Sequence, residues 1–306
     1  MCTAITYSHN NFYFGRNLDF ENSFDEKIVI TGRSFPFFLR NSKKIESHYA
    51  IIGMGIVSDN FPLYFDAVNE FGLCMAGLLF PEAAHFHKSN PGKNNIASFE
   101  LIPYVLSLCK NLTEAKKLLQ NANITDENFS NEYHATPLHW IISDKTGSVT
   151  VESVKDGLYL HDNPVGVLTN SPDFPSHMAN LDKYIKDSLC PDEKKLPGDF
   201  SSEARFVRAA YTKLSSFSED SEQSCVSQVF RILESVQRTR GCTRKDENKL
   251  VKTHYSSCIN ADKQIYYYTT HDNMGIGAVE LGESYSNSDR VFIFPLEKEW
   301  RVNFQR

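Results

Sequence analysis

No stretch of about 18 or more consecutive apolar residues occurs in the chain, which argues against a membrane-spanning helix. A basic excess is missing too. The 32 Lys and Arg are outnumbered by 38 Asp and Glu, the formal charge is −6, and the cations are scattered, whereas a nucleic-acid binder carries a basic stripe. The N-terminus has no basic segment followed by an apolar run, so no secretory signal is visible. The seven cysteines are an odd number and none is spaced C-x-x-C. They read as reduced thiols in a cytoplasmic protein, not as a disulfide framework or a zinc site. Internal repeats, low-complexity tracts and Pro/Gly/Ser linkers are all lacking. One domain over residues 1–306 is expected, long enough to bury a sizeable core.

What is present changes period along the chain. Residues 2–7 and 12–20 alternate like strands around the turn tetrad Ser8-His9-Asn10-Asn11, and predict a hairpin. Strand-like runs follow at 28–31 and 49–53. A second hairpin, 63–68 with 73–80, is joined by Asn69-Glu70-Phe71-Gly72. Helical spacing then sets in. Ser98 is placed to cap a helix carrying Leu101, Ile102, Val105 and Leu106, and Thr113 to cap one carrying Ala115, Leu118 and Leu119. Strands return at 138–143, 148–154 and 158–160, helices at 176–189, 202–216 and 221–238, and strands at 256–261, 265–270 and 276–281. This order predicts an α+β fold of two sheets packed face to face with helices outside.

Cys2 follows Met1 directly. A small second residue permits Met removal, and Cys2 would then carry a thiol and a free α-amine together. Unperturbed pKa values of about 8.5 for a thiol and about 7.7–8.0 for an α-amine let the amine take the thiol proton and return it to a leaving amine. Nucleophile and base would share one residue. Arg16 and Asp19 lie among aromatics and Leu on the strand expected to pair with the Cys2 strand. As a site, Arg16 would favour the thiolate and Asp19 would orient the amine. As a surface ion pair they would contribute little. Strict alternation sends residues 16 and 19 to opposite faces, so service to one site calls for a bend or bulge between them.

Several blocks in one order resemble the choloylglycine hydrolase family, which contains bile salt hydrolases and penicillin V acylases. They are Met1-Cys2-Thr3-Ala4, Phe14-Gly15-Arg16-Asn17-Leu18-Asp19, Asn69-Glu70-Phe71-Gly72-Leu73 with Met75-Ala76-Gly77-Leu78, and Pro137-Leu138-His139-Trp140. Leu168-Thr169-Asn170-Ser171-Pro172, Pro197-Gly198-Asp199-Phe200-Ser201-Ser202 and Arg205-Phe206 continue the series. The resemblance implies a four-layer αββα N-terminal nucleophile hydrolase fold, action on a linear amide C–N bond, and no cofactor or metal. It implies that Cys2 is the nucleophile flanked by Arg16 and Asp19. Asn170 supplies the side-chain donor of the oxyanion hole, Leu79 the backbone N–H, and Arg205 holds the charge network. In this chain Leu79 stands where bile salt hydrolases usually resemble one another in having Asn and penicillin V acylases in having Tyr. The stretch 189–198 is short where many relatives carry an insertion that helps assemble a tetramer.

The resemblance favours a glycine- or taurine-conjugated bile salt as substrate, with penicillin V or another N-acyl amide as the alternative. A steroid acyl group calls for a broad apolar pocket with a polar mouth. Leu18, Phe20, Met54, Phe61, Leu79 and Leu138 are the candidate walls. The implied partner is thus a small amphipathic amide, with no nucleic acid or membrane, and a homo-oligomer (tetramer or dimer) is expected. Among other classes, a metal hydrolase could use His85-x-His87, but that pair sits in a polar loop without a carboxylate motif. A papain-like enzyme has no local signature here. A bile-acid binder with a degenerate site is the non-enzymatic contrast, and the intact Cys2, Arg16, Asp19, Asn170 and Arg205 argue against it.

Overall fold

The computed structural model describes every residue except 42–43, 186–189, 247–248, 303 and 306. The strands in chain order are β1 Cys2–His9, β2 Asn11–Phe20, β3 Lys27–Thr31, β4 Ile51–Ser58, β5 Phe61–Asn69, β6 Cys74–Leu79, β7 Asn94–Ala97, β8 Ala122–Thr125 and β9 Leu138–Asp144. They continue as β10 Gly147–Val154, β11 Gly157–Asp162, β12 Val167–Leu168, β13 Thr243–Asp246, β14 Lys249–Asn260, β15 Ile265–Thr270, β16 Gly277–Glu280 and β17 Val291–Pro295. The helices are α1 Leu101–Leu108, α2 Leu112–Leu119, α3 Phe174–Leu181, α4 Ser202–Ser215, α5 Glu222–Glu234 and α6 Glu283–Ser286.

Among the described residues, two large antiparallel sheets carry the fold. One runs β12-β1-β2-β14-β15-β16, with β13 beside β14. The other runs β11-β10-β9-β6-β5-β4-β3-β17. Helices α4 and α5 pack on the first sheet, and α1 and α2 on the second. The resulting four layers are helix, sheet, sheet, helix, the αββα arrangement of the N-terminal nucleophile hydrolases. Alternation decides which core each residue joins. On β3, Ile28 and Ile30 enter the core between the sheets, whereas Val29 faces the helices α1 and α2.

Both expected hairpins form. The first turns tightly at Asn10 (φ 58°), with His9 opposite Asn11, and Asn is among the few residues that tolerate a left-handed backbone. Two helix starts differ from expectation. A short 3-10 turn, Ser98–Glu100, precedes α1, and Glu100 reaches back to accept from the Ala97 N–H at 3.0 Å, in place of a Ser98 cap. Asn111, not Thr113, caps α2, its side chain accepting from the Glu114 N–H at 2.9 Å. The third helical run ends early: α5 stops at Glu234, so residues 235–238 continue as a connection. Of the run expected over 176–189, α3 covers Phe174–Leu181, and 186–189 lie outside the described residues, as does Leu189 of the short segment.

Candidate active site

β1 begins at Cys2 and lies between the short edge strand β12 and β2. Register pairs Cys2 with Leu18 and Ala4 with Arg16, which sets Arg16 on the same face as the Cys2 thiol. Arg16 donates from Nη2 to Cys2 Sγ at 2.9 Å, and from Nη1 to the carbonyls of Phe65 (2.8 Å) and Gly77 (3.1 Å). Asp66 on β5 lies 3.9 Å from Nη1. Both partners are fully buried. Burial works against the Arg16 charge, yet Tyr255, Cys2 and Asp66 outweigh it, and the net shift of its pKa is upward. Asp66 accepts three hydroxyl bonds, from Tyr255 (2.6 Å), Tyr266 (2.6 Å) and Ser257 (3.0 Å). Burial raises its pKa on balance, with Arg16 and those hydroxyls opposing the shift.

Asp19 turns to the other face. Its Oδ1 accepts from Thr253 Oγ1 at 2.6 Å, and its Oδ2 lies 3.5 Å from Arg238 Nε. The bend or bulge called for between residues 16 and 19 is not present in β2; the irregularity lies opposite, in β14. Thr253 pairs with Asp19 and Tyr255 with Leu18, leaving His254 as the extra residue of a bulge. β2 itself keeps its alternation, so Arg16 and Asp19 flank the start of β1 from opposite sides.

The third side comes from α4 and the turn after β12. Ser201 caps α4, accepting from the Ala204 N–H at 3.1 Å, and Arg205 stands one turn in. Arg205 donates from Nη1 to the Cys2 carbonyl (2.5 Å) and Thr3 Oγ1 (2.8 Å), and from Nη2 to Asn170 Oδ1 (2.8 Å). Burial lowers its pKa to about 10, with Asp19 opposing that shift and Arg238 adding to it. Asn170 Oδ1 also accepts from the Cys2 N–H at 2.7 Å, and its Nδ2 donates to the Leu79 carbonyl at 2.8 Å. Two buried histidines hold this turn. His177 Nε2 lies 2.7 Å from the Asn170 carbonyl, and His139 Nε2 lies 3.0 Å from that of Thr169. Burial lowers the His177 pKa to about 4, so its imidazole is neutral at neutral pH.

Cys2 opens into a cavity of about 460 Å3. Leu18, Phe20, Leu79 and Leu138 line it as expected. Met54 and Phe61 do not. Met54 points into the core between the sheets, and Phe61 sits behind Phe99 and Phe129, in edge and tilted contact with them. Phe99 and Phe129 supply the wall in its place, together with Phe24, Phe65 and Tyr133. Sequence reasoning also missed Asp66 and Arg238. His87 binds the Val154 carbonyl (3.0 Å), and no metal-binding group of three His, Cys, Asp or Glu occurs among the described residues.

A buried cysteine opening a strand of one of two stacked antiparallel sheets is the architecture of N-terminal nucleophile hydrolases. The family model described as linear amide C–N hydrolases, choloylglycine hydrolase family, matches residues 2–294, and the chain belongs to that family. It is 43% identical to the bile salt hydrolase/transferase of Lactiplantibacillus plantarum, over 98% of each chain. It is 35% identical to the conjugated bile acid hydrolase of Lactobacillus acidophilus, covering 96% of this chain and 100% of that one. A mutant conjugated bile acid hydrolase from Clostridium perfringens superposes with a TM-score of 0.91 at 34% identity, over 100% of both chains. Penicillin V acylase from Agrobacterium tumefaciens shares the fold, with a TM-score of 0.77 at 22% identity over 92% of this chain and 86% of that one.

Proposed function

We propose that the protein hydrolyses the amide bond of glycine- or taurine-conjugated bile salts, with Cys2 as nucleophile once Met1 is removed. The observation that carries the reading is the placement of Cys2 Sγ, held by Arg16 at the floor of a broad, largely aromatic and aliphatic cavity. A steroid acyl group fits such a wall and leaves its scissile carbonyl at the polar floor. The names of the relatives support the same substrate class.

In this scheme the Cys2 α-amine takes the thiol proton as Sγ attacks the carbonyl carbon. Asn170 Nδ2, placed by the Leu79 carbonyl, and the Leu79 N–H receive the developing oxyanion. The amine then returns the proton to the departing glycine or taurine nitrogen. Water releases the bile acid from the thioester, and in the relatives named hydrolase/transferase the name points to a second acceptor as well. Arg205 ties the Cys2 carbonyl to Asn170 Oδ1, so nucleophile and oxyanion donor are positioned as one unit. The seven free cysteines support a reducing, cytoplasmic setting, and a homo-oligomer is part of the proposal.

The test is parallel hydrolysis of glycocholate, taurocholate and penicillin V by protein shown by intact mass to lack Met1, beside Cys2→Ala. Cys2-dependent release of glycine or taurine, with penicillin V slow, is the expected result. Faster cleavage of penicillin V would move the protein to the acylase branch, and no turnover of any of the three would sink the substrate assignment.

A further inference from the structure

Three arginines rank among the largest fully buried side chains, and all three converge on the start of β1. Arg16 serves the thiol and Arg205 the backbone and Asn170. Arg238 lies just past the end of α5 and is 1% exposed. It belongs to neither the Cys2 hydrogen-bond set nor the cavity wall. Its Nη1 donates to Thr243 Oγ1 at 2.6 Å and its Nη2 to the Phe200 carbonyl, while the guanidinium lies over the Phe200 ring, 5.4 Å from its centroid. Its backbone N–H donates to Thr253 Oγ1 at 2.8 Å, the same hydroxyl that donates to Asp19 Oδ1. Asp19 is therefore gripped twice by one residue: through Thr253, and across the 3.5 Å between its Oδ2 and Arg238 Nε. Those two atoms have no hydrogen-bond partner among the described residues, so charge holds the pair.

The charged groups around Cys2 come from several elements. β2 contributes Arg16 and Asp19, β5 contributes Asp66, α4 contributes Arg205, and the segment after α5 contributes Arg238. Tyr255 on β14 faces Arg16, Arg208 on α4 acts on Arg238 from outside, and Asp199 offsets Arg208. Three buried cations, Arg16, Arg205 and Arg238, face two buried acids, Asp19 and Asp66, and burial raises the Asp66 pKa. With Cys2 as a neutral thiol beside a neutral amine the cluster is already net positive, and protonating the amine would add one more positive charge. Buried net charge is costly, so the neutral amine is favoured.

Building on the Cys2 amide-hydrolysis reading, we infer that Arg238 is a positioning residue that supplies Asp19 with its counter-charge, so that the freed Cys2 amine stays neutral and available as the base. Asp19 alone would draw a proton onto that amine. With Arg238 in place, the carboxylate orients the amine without holding it as an ammonium. Arg238 stands in for the cation that the amine would otherwise become.

The inference is tested on Met1-processed wild type and on Arg238→Gln, Arg238→Met and Arg238→Lys, each with intact mass and melting temperature recorded. Mass is needed because Arg238 Nη2 also lies 3.2 Å from Met1 Sδ. Two pH profiles are taken: kcat/KM for the conjugate, and the rate of Cys2 alkylation by iodoacetamide, which needs no substrate. Both report the amine–thiol pair as a coupled system. In Gln and Met, losing the cation should move the acid limb of both profiles to higher pH by about 0.5–1 unit, less than the about 1–3 units of a directly contacting charge. Lys should keep the limb within about 0.2 unit of wild type, below any shift a charge at this range produces. A limb unmoved in folded, processed Gln and Met, or one displaced as far in Lys, overturns the inference. Turnover in the wild type keeps that outcome separate from the substrate assignment, and the alkylation profile stands even if no conjugate is cleaved.

Discussion

Asn170 is where the site depends most on a single side chain. Its Oδ1 accepts from the Cys2 N–H and from Arg205, and its Nδ2 faces the Leu79 carbonyl. In the proposed scheme, Asn170→Ala removes an oxyanion donor and leaves Arg205 short of an acceptor. Removing one such donor costs about 10²–10³ in rate in a well-studied protease, so kcat should fall by that factor. Steady-state assays at saturating conjugate measure the fall, and a fall of less than about tenfold would remove Asn170 from the oxyanion site. The residues that act through sequence-local blocks are legible in the chain: Cys2 after Met1, Arg16 and Asp19 among aromatics, Asn170 before a proline turn. Arg238 is not. It stands at the end of the helical run read over 221–238, where nothing in the local sequence marks it as a site residue, and the Phe200 ring and β14 help to bury it. Asp66 is hidden for a related reason, since its three hydroxyl donors come from β14 and β15, about two hundred residues away.

At the scale of elements, β2 is squeezed. A Cβ at Gly15 would stand 2.7 Å from the Ser257 carbonyl oxygen of β14 and 2.9 Å from Val229 Cγ1 of α5. Backbone cannot yield as a side-chain tip can, so Gly15→Ala should separate β2 from β14 at the residue beside Arg16. Overpacking of this kind costs about 1–3 kcal/mol. Urea unfolding measures the loss, and the variant should also lose activity, because the Arg16 fork is aimed by that strand. The hydrophobic period locates the helices and the hairpins but misplaces their ends. Ser98 and Thr113 have the right chemistry for caps, yet the chain uses Glu100 and Asn111, one turn or less away, because tertiary donors such as the Arg40 N–H are also to be satisfied. The walls of the cavity are half legible. Met54 and Phe61 alternate correctly within their strands, and a single strand cannot reveal which of two cores each face meets.

The four layers bury charge as well as apolar surface, and the half-buried Lys213 is a case away from the site. It reaches from α4 to Thr6 Oγ1 (2.8 Å) and the Val165 carbonyl (2.5 Å), and burial lowers its pKa to about 8 from 10.5. The unfolded chain therefore binds this proton more tightly than the folded one. The cost to stability is full below about pH 8 and fades as pH rises toward 10.5. Lys213→Met removes the dependence. The wild type should accordingly gain melting temperature relative to the variant between pH 7 and pH 10, and an offset constant across that range would argue against a strained cation there. The layer order itself is legible in the sequence, because strands arrive in hairpins and helices in groups; strands as short as β12 carry too few residues to announce themselves.

The first sheet also divides the space around Cys2. Arg16 and the cavity lie on one face, Asp19, Thr253 and Arg238 on the other, and the strand start is where both come within reach. Recognition and proton handling are thus housed in separate rooms that share one doorway. A lineage could remodel the aromatic wall to admit a different acyl group without retuning its working pH, or shift its working pH to suit a new habitat while keeping its diet. Adaptation along either axis would leave the other nearly untouched.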